Sequence, residues 1–166
     1  GCEDKAEKLF ADKVDGIVDI LQKPAAGKTV SFFYITSNGA VNVRKSTDYI
    51  AEMLSLAGGK YIFDDLTDDT AKSTVNMQME SFYAGAKDAD VMIYNATIDS
   101  ELQTLDQLLE KSPLLADFKA VKTGNVWCTE KNLYQSTMEL DELIRDFHTV
   151  IADGDPSTLK YLHKLS

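Results

Sequence analysis

Ala6, Leu9, Phe10, Val14, Ile17 and Leu21 recur at helical spacing, and charged residues fill the positions between them. This predicts an amphipathic helix, ended by Pro24 and Gly27. The pattern then changes period. Thr29 to Thr36, TVSFFYIT, is β-branched and aromatic and reads as a buried strand. Ser37 to Ser46, SNGAVNVRKS, carries a turn signal at Asn38-Gly39 and fits either a tight hairpin or a ligand-facing loop at a strand end. Ser46 or Thr47 can cap a second helix, whose buried stripe is Ile50, Met53, Leu54 and Ala57. Gly58 and Gly59 stop it, because glycine takes the left-handed conformation at no steric cost.

Beyond that stop, Tyr61-Ile62-Phe63 is a short extended piece and Asp64 to Ser73 a polar loop. Met79, Phe82, Tyr83 and Ala86 mark a helix, and Asp90 to Thr97 a second strand with a polar exit. Ser100 and Gln103 form a capping-box pattern ahead of Leu102, Leu105, Leu108 and Leu109. Ser112-Pro113 starts a short helix, and Gly124 turns the chain into a third strand, NVWCT. Ser136 and Glu139 form another capping box, before the stripe Leu140, Leu143, Ile144, Phe147 and Ile151. Asp155-Pro156 opens a last short helix carrying Leu159, Leu162 and Leu165. Short apolar strands that alternate with helices predict an α/β layer, its largely parallel sheet covered on both faces.

Composition narrows the function more than the fold. With 166 residues the chain fits one domain. A net charge of −10 argues against nucleic acid, whose phosphates call for a basic face. Cys2 and Cys128 lie in no metal or redox spacing, and Gly1-Cys2 is open to a lipidated mature start or to a domain cut from a longer protein. His148 and His163, both in helical patterns, read as structural or solvated. AAGKT lacks the phosphate-loop glycine, since Gln22 holds that place, and it precedes a strand rather than following one. The acids of FDDLTDD lack the glycine of a calcium loop.

In open α/β sheets, ligands gather outside the carboxyl ends of the strands. Those ends are Tyr34 to Asn38, Asn95 to Thr97 and Thr129 to Tyr134. Tyr34, Asn38, Arg44, Lys45, Asn95, Trp127, Asn132 and Tyr134 there combine aromatic faces with polar groups, the chemistry of a small-molecule pocket. No acid–base pair, nucleophilic triad or metal cluster emerges, so binding is expected rather than catalysis. A second reading, an independent flavodoxin-like or receiver-like domain with phosphate or cofactor chemistry, rests on the strand–helix alternation with Asp64, Asp65, Thr97 and Lys122.

Three stretches, STDYIAEMLSLAGGKYIFDD, NMQMESFYAGAKDADVMIYNAT and LLADFKAVKTGNVWCT, resemble in order the metal-chelate-type solute-binding proteins of ABC importers. These are receptors for ferric siderophores, haem and cobalamin. EDKAEKLFADKVDGIVDIL resembles the helix that joins the two lobes in that family. The resemblance implies a Rossmann-like three-layer C-terminal lobe over 24–166, a long inter-lobe helix over 1–23, and an N-terminal lobe not included in this sequence. It implies a site of Tyr34, Ser37, Asn38, Arg44, Asn95, Tyr134 and Gln135 facing an iron chelate, haem or corrinoid, with no intrinsic cofactor. It further implies an extracytoplasmic protein that hands its ligand to an ABC permease. Acids that dock on the permease would be Asp64, Asp65 or Glu52, because Lys60 stands where some members place an acid. The Gly58-Gly59 stop then reads as a helix end beside the ligand cleft.

Overall fold

The computed structural model describes residues 28–46, 49–63, 74–96, 102–130, 140–152, 157 and 159–165. The expected helix over 1–23 and the capping box at Ser136 and Glu139 lie outside these residues. Seven strands form one sheet: β1 (Thr29–Ile35), β2 (Val41–Arg44), β3 (Lys60–Tyr61), β4 (Thr74–Met77), β5 (Val91–Tyr94), β6 (Val126–Thr129) and β7 (Leu162–Lys164). The spatial order is β4-β2-β1-β5-β6-β7, with β3 also on β1. The centre is parallel: β1 pairs with β5, β5 with β6, and β3 with the start of β1. The flanks are antiparallel, β2 on β1, β4 on β2 and β7 on β6.

Strict alternation along the central strands sorts their side chains into two cores. Val30, Phe32, Val91, Ile93 and Trp127 face one side, Phe33, Ile35, Met92, Tyr94, Val126 and Cys128 the other. Helices α1 (Tyr49–Leu56) and α5 (Leu140–Ile151) cover the first face. Helices α2 (Met79–Ala86), α3 (Leu105–Lys111) and α4 (Lys119–Thr123), with the 3-10 turn Pro113–Asp117, cover the second. There Phe82 is fully buried at the middle of an aromatic cluster, its ring centre 4.5 Å from that of Phe33 and 5.4 Å from that of Phe118. The architecture is therefore a three-layer α/β fold, as the sequence pattern predicts.

Two local expectations change. Helix α3 begins at Leu105 and its capping box is Thr104 with Gln107, while Ser100 of the expected pair lies outside the described residues: Thr104 Oγ1 accepts from Gln107 N at 3.2 Å, and Gln107 Oε1 accepts from Thr104 N at 3.3 Å. Thr104→Ala is expected to cost about 1 kcal/mol, read as a lowered urea midpoint at unchanged slope. The larger change is at the C-terminus, where Leu162–Lys164 is a strand rather than a helix. Leu162 enters the first core and Leu165 the second. Residues three apart share a stripe on a helix but lie on opposite faces of an extended chain, and here both faces of the sheet need an apolar residue.

The Gly58-Gly59 stop is a Schellman motif. Gly58 takes φ 94°, its N–H donates to Ser55 O at 3.0 Å, and Gly59 N–H donates to Leu54 O at 3.0 Å. His148 of α5 completes the helix end, with Nδ1 2.8 Å from Ala57 O; a carbonyl only accepts, so Nδ1 carries the proton. Gly124, with φ 79°, likewise ends α4 and turns the chain into β6.

Candidate functional site

Because β1, β5 and β6 are parallel, their carboxyl ends open on one edge of the sheet. The expected loop after β1 is a tight hairpin into β2. Thr36 and Ala40 exchange backbone contacts, with Thr36 N donating to Ala40 O at 2.8 Å, and Gly39 takes φ 85° to close the turn. Thr36 Oγ1 braces it, donating to Ala40 O and accepting from Ala40 N, each at 3.1 Å. Ser37 and Asn38 sit exposed at its tip, on the carboxyl edge. Tyr34, half-buried, lies just before them and packs against the second core.

Asn95 follows β5 directly and is 1% exposed. Its N–H donates to Phe33 O at 2.6 Å, which holds the exit of β5 against β1. Thr129, fully buried at the end of β6, ties down the next residue, accepting from Ala96 N at 2.8 Å. Glu130 N–H donates to Tyr161 O at 2.8 Å, fixing the exit of β6 against the entry of β7. His163 completes the edge. Its Nδ1 lies 3.3 Å from Glu130 Oε1 and its Nε2 2.5 Å from Leu102 O.

The structure thus brings together Tyr34, Ser37, Asn38 and Asn95. It does not bring Arg44 with them. Strand β2 is antiparallel to β1, so Arg44 falls one step beyond the Phe33–Val43 pair, back toward the middle of the sheet. At about 3.3 Å per residue this is about 10 Å from the carboxyl edge. Arg44 and Lys45 are buried there, and Arg44 O accepts from the Tyr61 hydroxyl at 2.6 Å. Trp127 is buried in the first core, its ring centre 5.8 Å from Lys164 Nζ. Asn132, Tyr134, Gln135, Asp64 and Asp65 lie outside the described residues. Glu52 is exposed on α1. Lys60 pairs with Thr29 at the amino end of β1, so the Gly58-Gly59 stop lies on the edge of the sheet opposite the carboxyl ends of the strands. Thr36, Thr129 and Glu130 fall in the strand-end stretches that the sequence assigns to this edge, though not among the residues named there for the pocket: Thr129 ends β6, and Thr36 and Glu130 directly follow β1 and β6. His163 gives no such signal.

The chain belongs to the periplasmic binding protein family, whose model matches residues 1–133. It is 31% identical to a lipoprotein of Methanocaldococcus jannaschii, described as uncharacterized, over 153 residues, which is 90% of this chain and 35% of that one. Its fold is similar to that of an ABC-type Fe3+-hydroxamate transport system protein from Saccharomonospora viridis, with a TM-score of 0.66, 14% identity and coverage of 89% of this chain and 49% of that one. A periplasmic haem-binding protein from Pseudomonas aeruginosa gives a TM-score of 0.64 at 16% identity, covering 98% of this chain and 56% of that one. The chain spans about a third of the lipoprotein and about half of each solved structure. Family membership decides against the flavodoxin- or receiver-like alternative, and the residue that follows β5 is Asn95 rather than an aspartate.

Proposed function

We propose that this chain is the C-terminal lobe of an ABC importer's solute-binding protein, which captures an iron chelate, haem or a corrinoid outside the cytoplasm. The observation that carries the reading is the placement of exposed Ser37 and Asn38 and half-buried Glu130 at one carboxyl edge of a periplasmic-binding-protein fold, with Asn95 and Thr129 buried beneath them. Polar groups fixed on strand ends orient a ligand at low entropic cost. The solved relatives named for Fe3+-hydroxamate and haem support the first two of these ligand classes. The relative named a lipoprotein supports a place at the outer face of the membrane. Tyr134 and Gln135 join the wall of the cleft in this reading, and a second lobe supplies the other wall. The work done is capture and hand-over to a permease, without a catalysed step. Of the acids offered for permease docking, Asp64 and Asp65 lie outside the described residues, and Glu52 is exposed on α1.

The test is a titration of the full natural polypeptide that carries this chain, with haemin, ferric desferrioxamine B and cyanocobalamin. Trp127 is the only tryptophan of this chain and lies two residues before the rim residue Thr129. Saturable quenching of its fluorescence, with a micromolar or tighter Kd for one ligand, is the expected result. No saturation with any of the three would remove the proposed ligand classes. Asn95→Asp, which places a charge at a 1% exposed position on the rim, is expected to weaken that binding at least tenfold.

A further inference from the structure

His163 makes two contacts that neither the core nor the sheet ladder requires. Strand β7 pairs with β6 so that His163 lies opposite Cys128, on the side of the second core. From there its ring reaches two different connections at the carboxyl edge. Nε2 meets Leu102 O, in the stretch that leads from β5 into α3, across 61 residues of sequence. A carbonyl only accepts, so Nε2 donates. Nδ1 meets the Glu130 carboxylate, where the chain leaves β6, across 33 residues. The two nitrogens lie on opposite sides of one rigid ring, so the imidazole is a bridge of fixed length between the two connections.

We propose that His163 is a positioning residue of the ligand-binding rim, which clasps the β5 and β6 exits in the spacing that ligand capture needs. This rests on the reading of that edge as the binding rim. Three observations support it. Leu102 and Glu130 are not neighbours in any strand pairing, so no ladder sets the distance between them. The same exits carry a second tie, Ala96 N to Thr129 Oγ1. The placement of His163 is itself over-determined: Leu165 N donates to Val126 O at 3.0 Å on one side, and Lys160 N and Tyr161 N donate to Asp146 Oδ2 at 2.9 and 2.6 Å on the other. A one-residue slip of β7 would send the imidazole to the opposite face of the sheet. A side chain that only filled space would not need its backbone held on both sides.

The test uses the full natural polypeptide and whichever of haemin, ferric desferrioxamine B and cyanocobalamin binds the wild type. His163→Ala is expected to weaken binding about tenfold, mainly through faster dissociation. His163→Gln, whose amide can still donate to Leu102 O but does not span to Glu130 as the ring does, is expected to recover part of the loss. Amide exchange at Ala96 and Glu130 should quicken in the alanine variant, while Phe33 and Val43 in the β1–β2 ladder keep their protection. Ile151→Val, a mildly destabilising change at the opposite edge, should leave affinity unchanged. If His163→Ala binds like the wild type, or Ile151→Val loses as much affinity, the clasp is wrong and the rim reading stands. If the wild type binds none of the three ligands, the rim reading fails and the clasp fails with it. Should His163→Ala not fold, Glu130→Ala cuts one arm alone, and unchanged affinity there overturns the proposal.

Discussion

Between about pH 5 and about pH 8 this protein is expected to lose about 2–3 kcal/mol of stability through one side chain, Asp146. Asp146 is on α5, 4% exposed, and its Oδ2 accepts from Lys160 N and Tyr161 N. Burial pushes its carboxyl up from the ordinary value of 3.8 to about 7, aided by Glu142 one turn earlier and opposed by the backbone donors and the Lys160 ammonium. Among the described residues, Glu142 and Lys160 are the charged groups that act on it, and Lys160 Nζ is 2.6 Å from Glu142 Oε1. The native state therefore holds a proton that the unfolded chain has released between about pH 4 and about pH 7. Stability falls as pH rises through that window and levels off above it. Asp90 acts in the opposite sense, since a hydrogen bond from Lys119 lowers its carboxyl, but its stability is lost only below about pH 4. Asp146→Asn keeps an acceptor for the two N–H groups and removes the titration. Urea denaturation of both proteins at about pH 5 and about pH 8 should show the variant gaining on the wild type by about 2–3 kcal/mol. A gap that does not move with pH would refute this account of Asp146.

The parts of the fold that were legible are those where local pattern and global environment agree. In β1, β5 and β6 both faces are buried, so the strands read as continuous apolar runs with turn signals at their ends. Strand β2 was half-legible. VNVR alternates for only four residues, and Val41 and Val43 alone reach the second core. Strand β7 was misread because leucines three apart satisfy a helical stripe as well as they satisfy two opposite cores, and only the neighbouring strand decides between them.

Legibility of the site divides along the same line. The positions of Asn38 and Asn95 could be read because Asn95 directly follows β5 and Asn38 lies in the turn just past β1, and the ends of central parallel strands emerge at the carboxyl edge. Arg44 could not be placed from the same rule, since its strand runs the other way and carries it back into the sheet. His163 lay beyond sequence reasoning altogether. Its two partners are 33 and 61 residues away, and both contacts depend on a strand that the leucine pattern disguises as a helix. The role expected for both histidines, structural or solvated, agrees with the hydrogen bonds that His148 and His163 make within the protein.

Gly59→Ala is expected to cost about 1–3 kcal/mol, and the reason differs from that for its neighbour. Gly58 is needed for its left-handed backbone, at φ 94°. Gly59 is needed for its missing side chain, because a Cβ there would lie 2.6 Å from Ile151 Cδ1 and 3.2 Å from Val30 Cγ2. Ile151 is fully buried at the last turn of α5, and Val30 is fully buried in β1, so neither can step aside into solvent. The Ala57–His148 hydrogen bond holds α1 and α5 together at this same point, which blocks relief by sliding the helices apart. The close approach therefore sets how near α5 can lie to the first strand. Ile151→Val removes the offending Cδ1 and should itself cost about 0.5–1.5 kcal/mol in a wild-type background. In the Gly59→Ala background the new methyl fills the space that change vacates. The double variant should then be less destabilised than the sum of the two single variants by about 1 kcal/mol or more. Strict additivity in urea denaturation would show that Gly59 is present for backbone conformation alone. Since this contact lies on the edge opposite the proposed binding rim, none of the three variants should change ligand affinity, which separates the stop that shapes the lobe from the proposed clasp.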